Sequence, residues 1–381
     1  MKLKKISYSE FVGGSQEWFL NGLTLGNINL LVGKNATGKS RCLNLINGLA
    51  KLLSGSEKKL FTSGSFDAEF ENDRDEIRYV LEIKNTKIVQ ESFVLNGKNL
   101  MTRGQGGAGQ IFAEEVDGGK MLSFHAPETL VAAVVRQDEI QHKFLRSLNT
   151  WAKGVIHYEF GSPMGKNQVA LIQKEVINEL DLRETSKVVS FFLRGEKKYE
   201  DAYIKAIKED LEQIHYYIEE IGTKQPSFHL PPDLQGEPRS LYVKERDLTG
   251  ITEQFSMSQG MFRVLSLIIQ VNYCQMAGQP SCILIDDIGE GLDFERSVGL
   301  VKLLMEKVKS PVQLIMATND KFIMNKVPLE TWCVLKREAN KCNVYNYANS
   351  KEKFDEFKFT GMNNFDLLMT DFLGEGYPKD E

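Results

Sequence analysis

Gly33-Lys34-Asn35-Ala36-Thr37-Gly38-Lys39-Ser40 is a complete G-x-x-x-x-G-K-[ST] run, the pattern of a loop that wraps phosphates. Its flanks supply the context the pattern requires. Upstream, Ile28-Asn29-Leu30-Leu31-Val32 is a short, mostly apolar run ending at the glycine, which reads as a buried strand. Downstream, Cys42, Leu43, Leu45, Ile46 and Leu49 recur at helical spacing to about Leu53. Gly33 and Gly38 allow a tight backbone turn, so that N–H groups face the phosphates, and the helix N-terminus adds its positive dipole end. Lys39 is expected to reach the β- and γ-phosphates and Ser40 to ligate Mg²⁺. The expected nucleotide-binding set is Gly33, Lys34, Asn35, Ala36, Thr37, Gly38, Lys39, Ser40 and Arg41.

The acidic partner of such a loop is distant. It is the run Cys282-Ile283-Leu284-Ile285-Asp286-Asp287, with residues 41–285 in between. A separation of that size means that something large is inserted between the two halves of one site. Asp286, at the end of the apolar run, is expected to hold Mg²⁺ through water. Just before it, Ser258-Gln259-Gly260 opens a second helical pattern over 264–277. A Ser-x-Gly at a helix start offers a hydroxyl, free N–H groups and the dipole end, a small anion site. After it, Val312-Gln313-Leu314-Ile315-Met316-Ala317-Thr318-Asn319-Asp320 is another buried-strand pattern with a polar end.

Length and composition permit this arrangement. A chain of 381 residues accommodates one large domain with an insertion, or two domains. Hydrophobic residues make up 42% and charged ones 26%, which allows a packed core and argues against wholesale disorder. The net charge of −5 gives no global attraction to nucleic acid. The five cysteines form no C-x-x-C pair, and Cys42, Cys274 and Cys282 sit in apolar runs, so buried hydrophobes are expected and structural zinc is not. Together with scattered histidines, this points to a reduced, cytoplasmic setting. Met1-Lys2-Leu3-Lys4-Lys5 is basic but no apolar segment follows, and runs such as 130–135 are too short to cross a bilayer, so neither a signal peptide nor a membrane span is expected.

Four segments are expected. Residues 1–127 form an N-terminal lobe with the phosphate loop. Within it 61–125 is strand-rich: Phe66-Asp67-Ala68-Glu69-Phe70 alternates, 77–83 and 87–95 are rich in β-branched and aromatic residues, and Asn96-Gly97 signals a hairpin. The glycines of 103–109 lack a lysine and a following helix, so they read as a flexible loop. Residues 128–245 form a mainly helical insertion. Ile204, Ile207, Leu211, Ile214, Ile218 and Ile221 repeat in steps of three and four, predicting a helix over 197–221 ended by Gly222, with an earlier helix over 167–182. That seam suits a protruding arm or a face packed on a globular body. The Pro-rich 228–238 reads as a return loop. Residues 246–345 form a C-terminal lobe, and 346–381 a polar, Phe-rich tail whose aromatics are expected to dock on the body or to face a partner.

Ser258-Gln259-Gly260 resembles the Leu-Ser-Gly-Gly-Gln signature of the ABC-type ATPase superfamily, with Ser258 and Gly260 at its serine and second glycine; Met257, Gln259 and Met261 depart from it. The order of phosphate loop, insertion, signature, acidic Walker B strand and switch strand resembles the SMC, RecF and OLD branch. As a small stand-alone member the chain looks like the AAA-type ATP-binding proteins of bacterial defence loci. The resemblance covers about 25–50 and 250–325, and a short stretch, Phe124-His125-Ala126-Pro127-Glu128-Thr129-Leu130, is similar to a RecF segment.

The resemblance implies an α/β fold: an ABC-type P-loop ATPase head with a mixed β lobe and a mainly helical insertion. It implies ATP and Mg²⁺ as cofactors, the metal on Ser40 and Asp286, and ATP hydrolysis. Asp287 stands where these ATPases place a water-polarising glutamate. Aspartate is one methylene, about 1.5 Å, shorter, so slow hydrolysis is expected. Asn319 holds the place of a switch histidine: an amide hydrogen-bonds phosphate but takes up no proton. Gly291-Leu292-Asp293 resembles the D-loop. The γ-phosphate glutamine is not assignable; Gln137 and Gln141 are poor matches.

The resemblance further implies a two-fold homodimer with ATP between two heads, Ser258, Gln259 and Gly260 of one facing the phosphates on the other. The favoured reading is an ATP-dependent dimeric switch controlling a protein effector in anti-phage defence. The alternative is a RecF-like DNA-repair ATPase, for which Lys187, Arg194, Lys197 and Lys198 would supply basic surface. A transporter subunit fits less well, because the insertion is large and the signature divergent. A built-in nuclease of the OLD kind is not expected, because 346–381 is too short to hold one.

Overall fold

The computed structural model describes residues 1–116, 118–172, 181–227, 236–278, 282–309 and 311–375. Alternating burial of Leu3, Ile6 and Tyr8 defines β1 (Lys2–Glu10), which pairs with β2 (Trp18–Thr24). β3 (Ile28–Val32) follows and runs into the phosphate loop and α1 (Lys39–Ser54). In β3, Leu30 and Val32 face one core and Leu31 the other, the two-sided burial of a central strand.

Six strands then form an antiparallel meander: β4 (Ser63–Asn72), β5 (Asp75–Lys84), β6 (Lys87–Leu95), β7 (Lys98–Arg103), β8 (Ala108–Ala113) and β9 (Lys120–His125). β5 carries the alternation plainly: Ile77, Tyr79, Leu81 and Ile83 are buried, Glu76 and Arg78 exposed. Between β6 and β7, Asn96 (φ 49°) and Gly97 (φ 77°) are both left-handed, as a two-residue hairpin turn requires. The glycine stretch expected to be a flexible loop is instead a pinned hairpin turn: Gly106 N–H donates to Glu128 at 2.8 Å and Ala126 N–H to the Gly107 carbonyl at 2.9 Å.

The segment 128–245 departs from the mainly helical insertion expected of it. It holds α2 (Ala132–Val135), α3 (Leu145–Lys153), β10 (Val155–Glu159), β11 (Ala170–Ile172), α4 (Val188–Gln213), β12 (Ile218–Lys224) and β13 (Glu237–Glu245). β10 belongs to the main sheet, and β11, β13 and β12 form a small sheet of their own with β14 (Thr252–Glu253). The helix expected over 197–221 starts earlier, is interrupted at Glu200 (φ 51°) and stops at Gln213. There His215 takes φ 62°, and Tyr216 N–H donates to the Leu211 carbonyl at 2.9 Å. Ile218, Ile221 and Gly222 lie in β12, so Gly222 ends no helix. Of the helix expected over 167–182, Ala170–Ile172 is strand and 173–180 lie outside the described residues, as do 228–235 of the return loop.

The chain continues through α5 (Gln259–Met276), β15 (Cys282–Asp286), α6 (Phe294–Lys307), β16 (Gln313–Ala317), α7 (Lys321–Lys326), β17 (Trp332–Glu338), β18 (Lys341–Asn346), α8 (Tyr347–Phe359), α9 (Asp366–Met369) and α10 (Phe372–Glu375). The tail docks: Phe354, Phe357 and Phe372 are buried, whereas Phe359 is 89% exposed. One sheet orders fourteen strands as β10-β15-β16-β3-β17-β18-β2-β1-β4-β5-β6-β7-β8-β9. Its first five strands are parallel. The carboxyl ends of β3, β15 and β16 therefore leave the sheet side by side, the place where α/β sheets bind ligands.

Candidate functional site

The phosphate loop is held by close approach. A Cβ on Gly33 would lie 2.5 Å from the Leu335 carbonyl oxygen, and Gly38 takes φ 110° at the helix start. Because Gly38 has no side chain, nothing caps α1, and its first N–H groups are left for an anion. Lys39 is 7% exposed and its ammonium donates to the carbonyls of Gly33 at 2.8 Å and Lys34 at 3.3 Å. Burial lowers its pKa, and the carboxylates of Asp287 and Asp286 oppose that shift. The two motifs far apart in sequence thus meet around one ammonium.

Asp286 ends β15, and its Oδ1 accepts from the Asp287 N–H at 3.1 Å. Asp287 holds φ 51°, a left-handed backbone uncommon outside glycine. Burial first, then the Asp286 charge, raises its pKa, with Lys39 opposing. Lys39, Ser40, Arg41, Asp287 and Asn319 all line a cleft of 430 Å³ beside the loop.

Two residues of that cleft were not singled out from the sequence, Trp18 and Arg337. The Arg41 guanidinium lies 4.1 Å over the Trp18 ring and pairs with Glu10. Arg337 donates to the Ala36 carbonyl at 3.4 Å. Both come from strands that reach the loop only through sheet pairing: β17 is parallel to β3, with Val334 opposite Val32. No local pattern in either strand marks them.

Ser258, Gln259 and Gly260 do not line this cleft. Ser258 caps α5, its Oγ accepting from the Met261 N–H at 3.1 Å, which leaves the hydroxyl hydrogen to donate elsewhere. A Cβ on Gly260 would lie 2.6 Å from the Gly291 carbonyl oxygen, so the helix start rests directly on the loop before α6. Asp293 caps α6 through Arg296 N–H at 3.0 Å and pairs with the Arg296 guanidinium at 2.8 Å. Gln137 and Gln141 line no part of this cleft; Gln141 instead accepts from the Glu115 N–H. The strand end beside the acidic pair is that of β10, where Glu159 is in register with Asp286.

Ser40 and Asp286 offer hard oxygen donors of the kind Mg²⁺ takes with phosphate and water. Among the described residues, no group of three or more His, Cys, Asp or Glu is placed to hold a metal ion without such help. None of the described helices is long and apolar enough to cross a membrane.

No protein-family model and no curated protein matches the chain. Solved structures do. An SMC head bound to the C-winged helix domain of ScpA is 13% identical over 91% of this chain and 97% of that one, with a TM-score of 0.51. An SMC head domain from Thermotoga maritima (14% identity, 91% and 99% covered, TM-score 0.46) is also matched. So is an Smc head domain with an extended coiled coil, bound to the C-terminal domain of ScpA derived from Pyrococcus furiosus (12%, 94% and 99%, 0.48). At such identity the likeness is one of architecture: the chain has the α/β fold of an SMC head domain.

Proposed function

We propose that the protein is an ATP-binding and hydrolysing switch that works as a cytoplasmic homodimer and controls a protein effector in bacterial anti-phage defence. One observation carries the dimer: a helix start equipped for an anion, Ser258 to Gly260, is absent from the cleft formed by Lys39, Ser40 and Asp287 of its own chain. A second copy related by a two-fold axis would bring each signature to the other's phosphates. ATP would lie with its phosphates on the uncapped turn of α1, Lys39 leaving the loop carbonyls for the β- and γ-oxygens. Mg²⁺ on Ser40 and Asp286 would neutralise phosphate charge. Asp287 would accept a hydrogen bond from the attacking water, and Asn319 would report the γ-phosphate. The defence role is supported by the resemblance to small stand-alone ATP-binding proteins of defence loci.

The test is molar mass in solution with and without a non-hydrolysable ATP analogue, on wild type and Lys39→Ala. The expected result is a monomer that doubles in mass with the analogue, and a variant that neither binds nor doubles. Unchanged ATP affinity in Lys39→Ala removes the phosphate-loop assignment. Affinity capture from the native host with the analogue present then separates a protein effector from DNA, whose capture would favour the RecF-like reading.

A further inference from the structure

We infer that Arg263 is a positioning residue that locks the signature end of α5 to the segment carrying Asp287, so that phosphate contact made in one site is felt at the water-orienting acid of the other. The inference rests on the dimer reading above. Arg263 lies just over one turn after Ser258 and is 8% exposed. Its Nε donates to the Ser162 carbonyl at 3.0 Å, its Nη1 to the Glu290 carbonyl at 2.9 Å and its Nη2 to the Gly161 carbonyl. Three backbone oxygens from two other segments thus converge on one planar fork. A guanidinium holds its donors in a fixed planar fork that reaches all three at once; the three donors of an ammonium radiate from a single nitrogen and do not reproduce that fork.

Those two segments flank Asp287. Glu290 N–H donates to the Asp287 carbonyl at 3.1 Å, closing the turn between them. Phe160 follows β10 directly and its N–H donates to the Asp286 carbonyl at 3.0 Å, with Gly161 next in the chain. The packing here is close. A Cβ on Gly161 would lie 2.5 Å from Glu290 Oε2 and 3.7 Å from Asp287 Cβ, and one on Gly291 would lie 3.0 Å from Arg263 Nη1. Add the contact of Gly260 with the Gly291 carbonyl, and the signature turn, the loop after Asp287 and the loop after β10 converge around Arg263. A displacement of the Ser258 turn by a phosphate cannot leave Glu290 behind while that fork is intact. Because close-packed segments shift as a body rather than deform, the movement is passed to the left-handed turn at Asp287.

A side chain that merely packs would lose stability and nothing else on substitution. The experiment is Arg263→Lys, which keeps charge and stem but loses the fork. ATP affinity, analogue-driven dimerisation, thermal midpoint, kcat and KM are measured beside wild type. The expected result is affinity and dimerisation within about twofold of wild type, kcat lower by about tenfold or more, and KM unchanged. A kcat within about twofold of wild type overturns the inference, as does a loss of kcat matched by an equal loss of dimerisation or of folded protein. Should Arg263→Lys fail to fold, hydrogen exchange of wild type decides. Protection over 286–292 must rise together with that over 258–264 on analogue binding, and a rise confined to 258–264 overturns the inference. A wild type that stays monomeric with the analogue is a different failure: it removes the dimer reading itself, and this inference with it.

Discussion

Asp287 combines three conditions that rarely meet in one residue: a left-handed backbone, partial burial and a carboxylate neighbour. Each costs something, and strain of this kind gathers at working sites. Burial and Asp286 favour its protonated form, with Lys39 opposing. The role proposed for it, a hydrogen-bond acceptor for water, requires the ionised form, so turnover should rise with pH through a midpoint above the ordinary carboxylate range. A pH–rate profile of kcat checks this, and Asp287→Asn should abolish that limb with the turnover while ATP still binds. Stability gives the opposite sign. A carboxyl whose pKa is higher folded than unfolded binds protons more tightly in the native state, so its contribution to stability falls as pH rises. Ligand-free Asp287→Asn should therefore unfold at higher denaturant than wild type near neutrality. The gap should close as pH falls through the raised folded-state value and be gone below the unfolded carboxylate value. A variant that hydrolyses ATP normally, or is less stable at neutral pH, removes Asp287 from the role given to it.

Among the elements, the meander and α2 are joined by one buried carboxylate. Glu91 on β6 accepts from Tyr79 Oη at 2.9 Å, Arg103 Nε at 2.9 Å and the N–H groups of Ala132 and Ala133 at 2.9 and 2.8 Å. Both side chains of the Glu91–Arg103 pair are fully buried. Glu91→Gln should cost about 3–5 kcal/mol in denaturant unfolding, because Arg103 is left charged without a counter-charge. Glu91→Leu with Arg103→Met should recover most of that loss; no recovery would mean that the α2 cap, not the ion pair, holds the lobe. The meander containing this pair was legible in the sequence because half-buried strands alternate, as β5 does. The phosphate loop, the acidic strand and the helix opened by Ser258 were legible because each is a short run with its own turn chemistry. The end of α4 was not. Its stop is His215, not glycine, in the left-handed position, and a bulge between Ile218 and Glu220 turns the two-residue strand period into a three-residue step. Ile218 and Ile221 therefore continued the helical count of Ile204, Ile207, Leu211 and Ile214 although they belong to a strand. Trp18, Arg263 and Arg337 were missed for another reason: their roles depend on which strand or loop lies beside them, which one segment does not encode.

On the scale of the whole molecule, the segment 128–245 is part of the body and not an arm laid upon it. β10 pairs along its length with β15, the strand that ends in Asp286. α4 packs Phe191, Phe192, Tyr203, Ile207 and Leu211 into the same core as Phe262, Leu265 and Ile269 of α5. The Tyr203 hydroxyl donates to the Ile269 carbonyl at 2.7 Å. Further along, Asp210 accepts from Asn272 at 2.6 Å and Lys307 at 2.8 Å, tying α4 to α5 and α6 at once. α5 is buried from Gly260 to Cys274, the mark of a helix enclosed on all sides. Stripping α4 away would open an apolar face on the helix that presents the signature, and a surface of that kind aggregates. Replacing 160–245 by a short flexible linker should accordingly give insoluble protein, or a soluble remnant that binds a hydrophobic dye and no ATP, even though the phosphate loop and Asp286 are retained. Had the segment been a protruding arm, the same deletion would leave a soluble head with wild-type ATP affinity. Soluble yield, dye binding and nucleotide titration of that one variant distinguish the two, because only an integral segment makes the fold of the candidate site depend on residues that do not line its cleft.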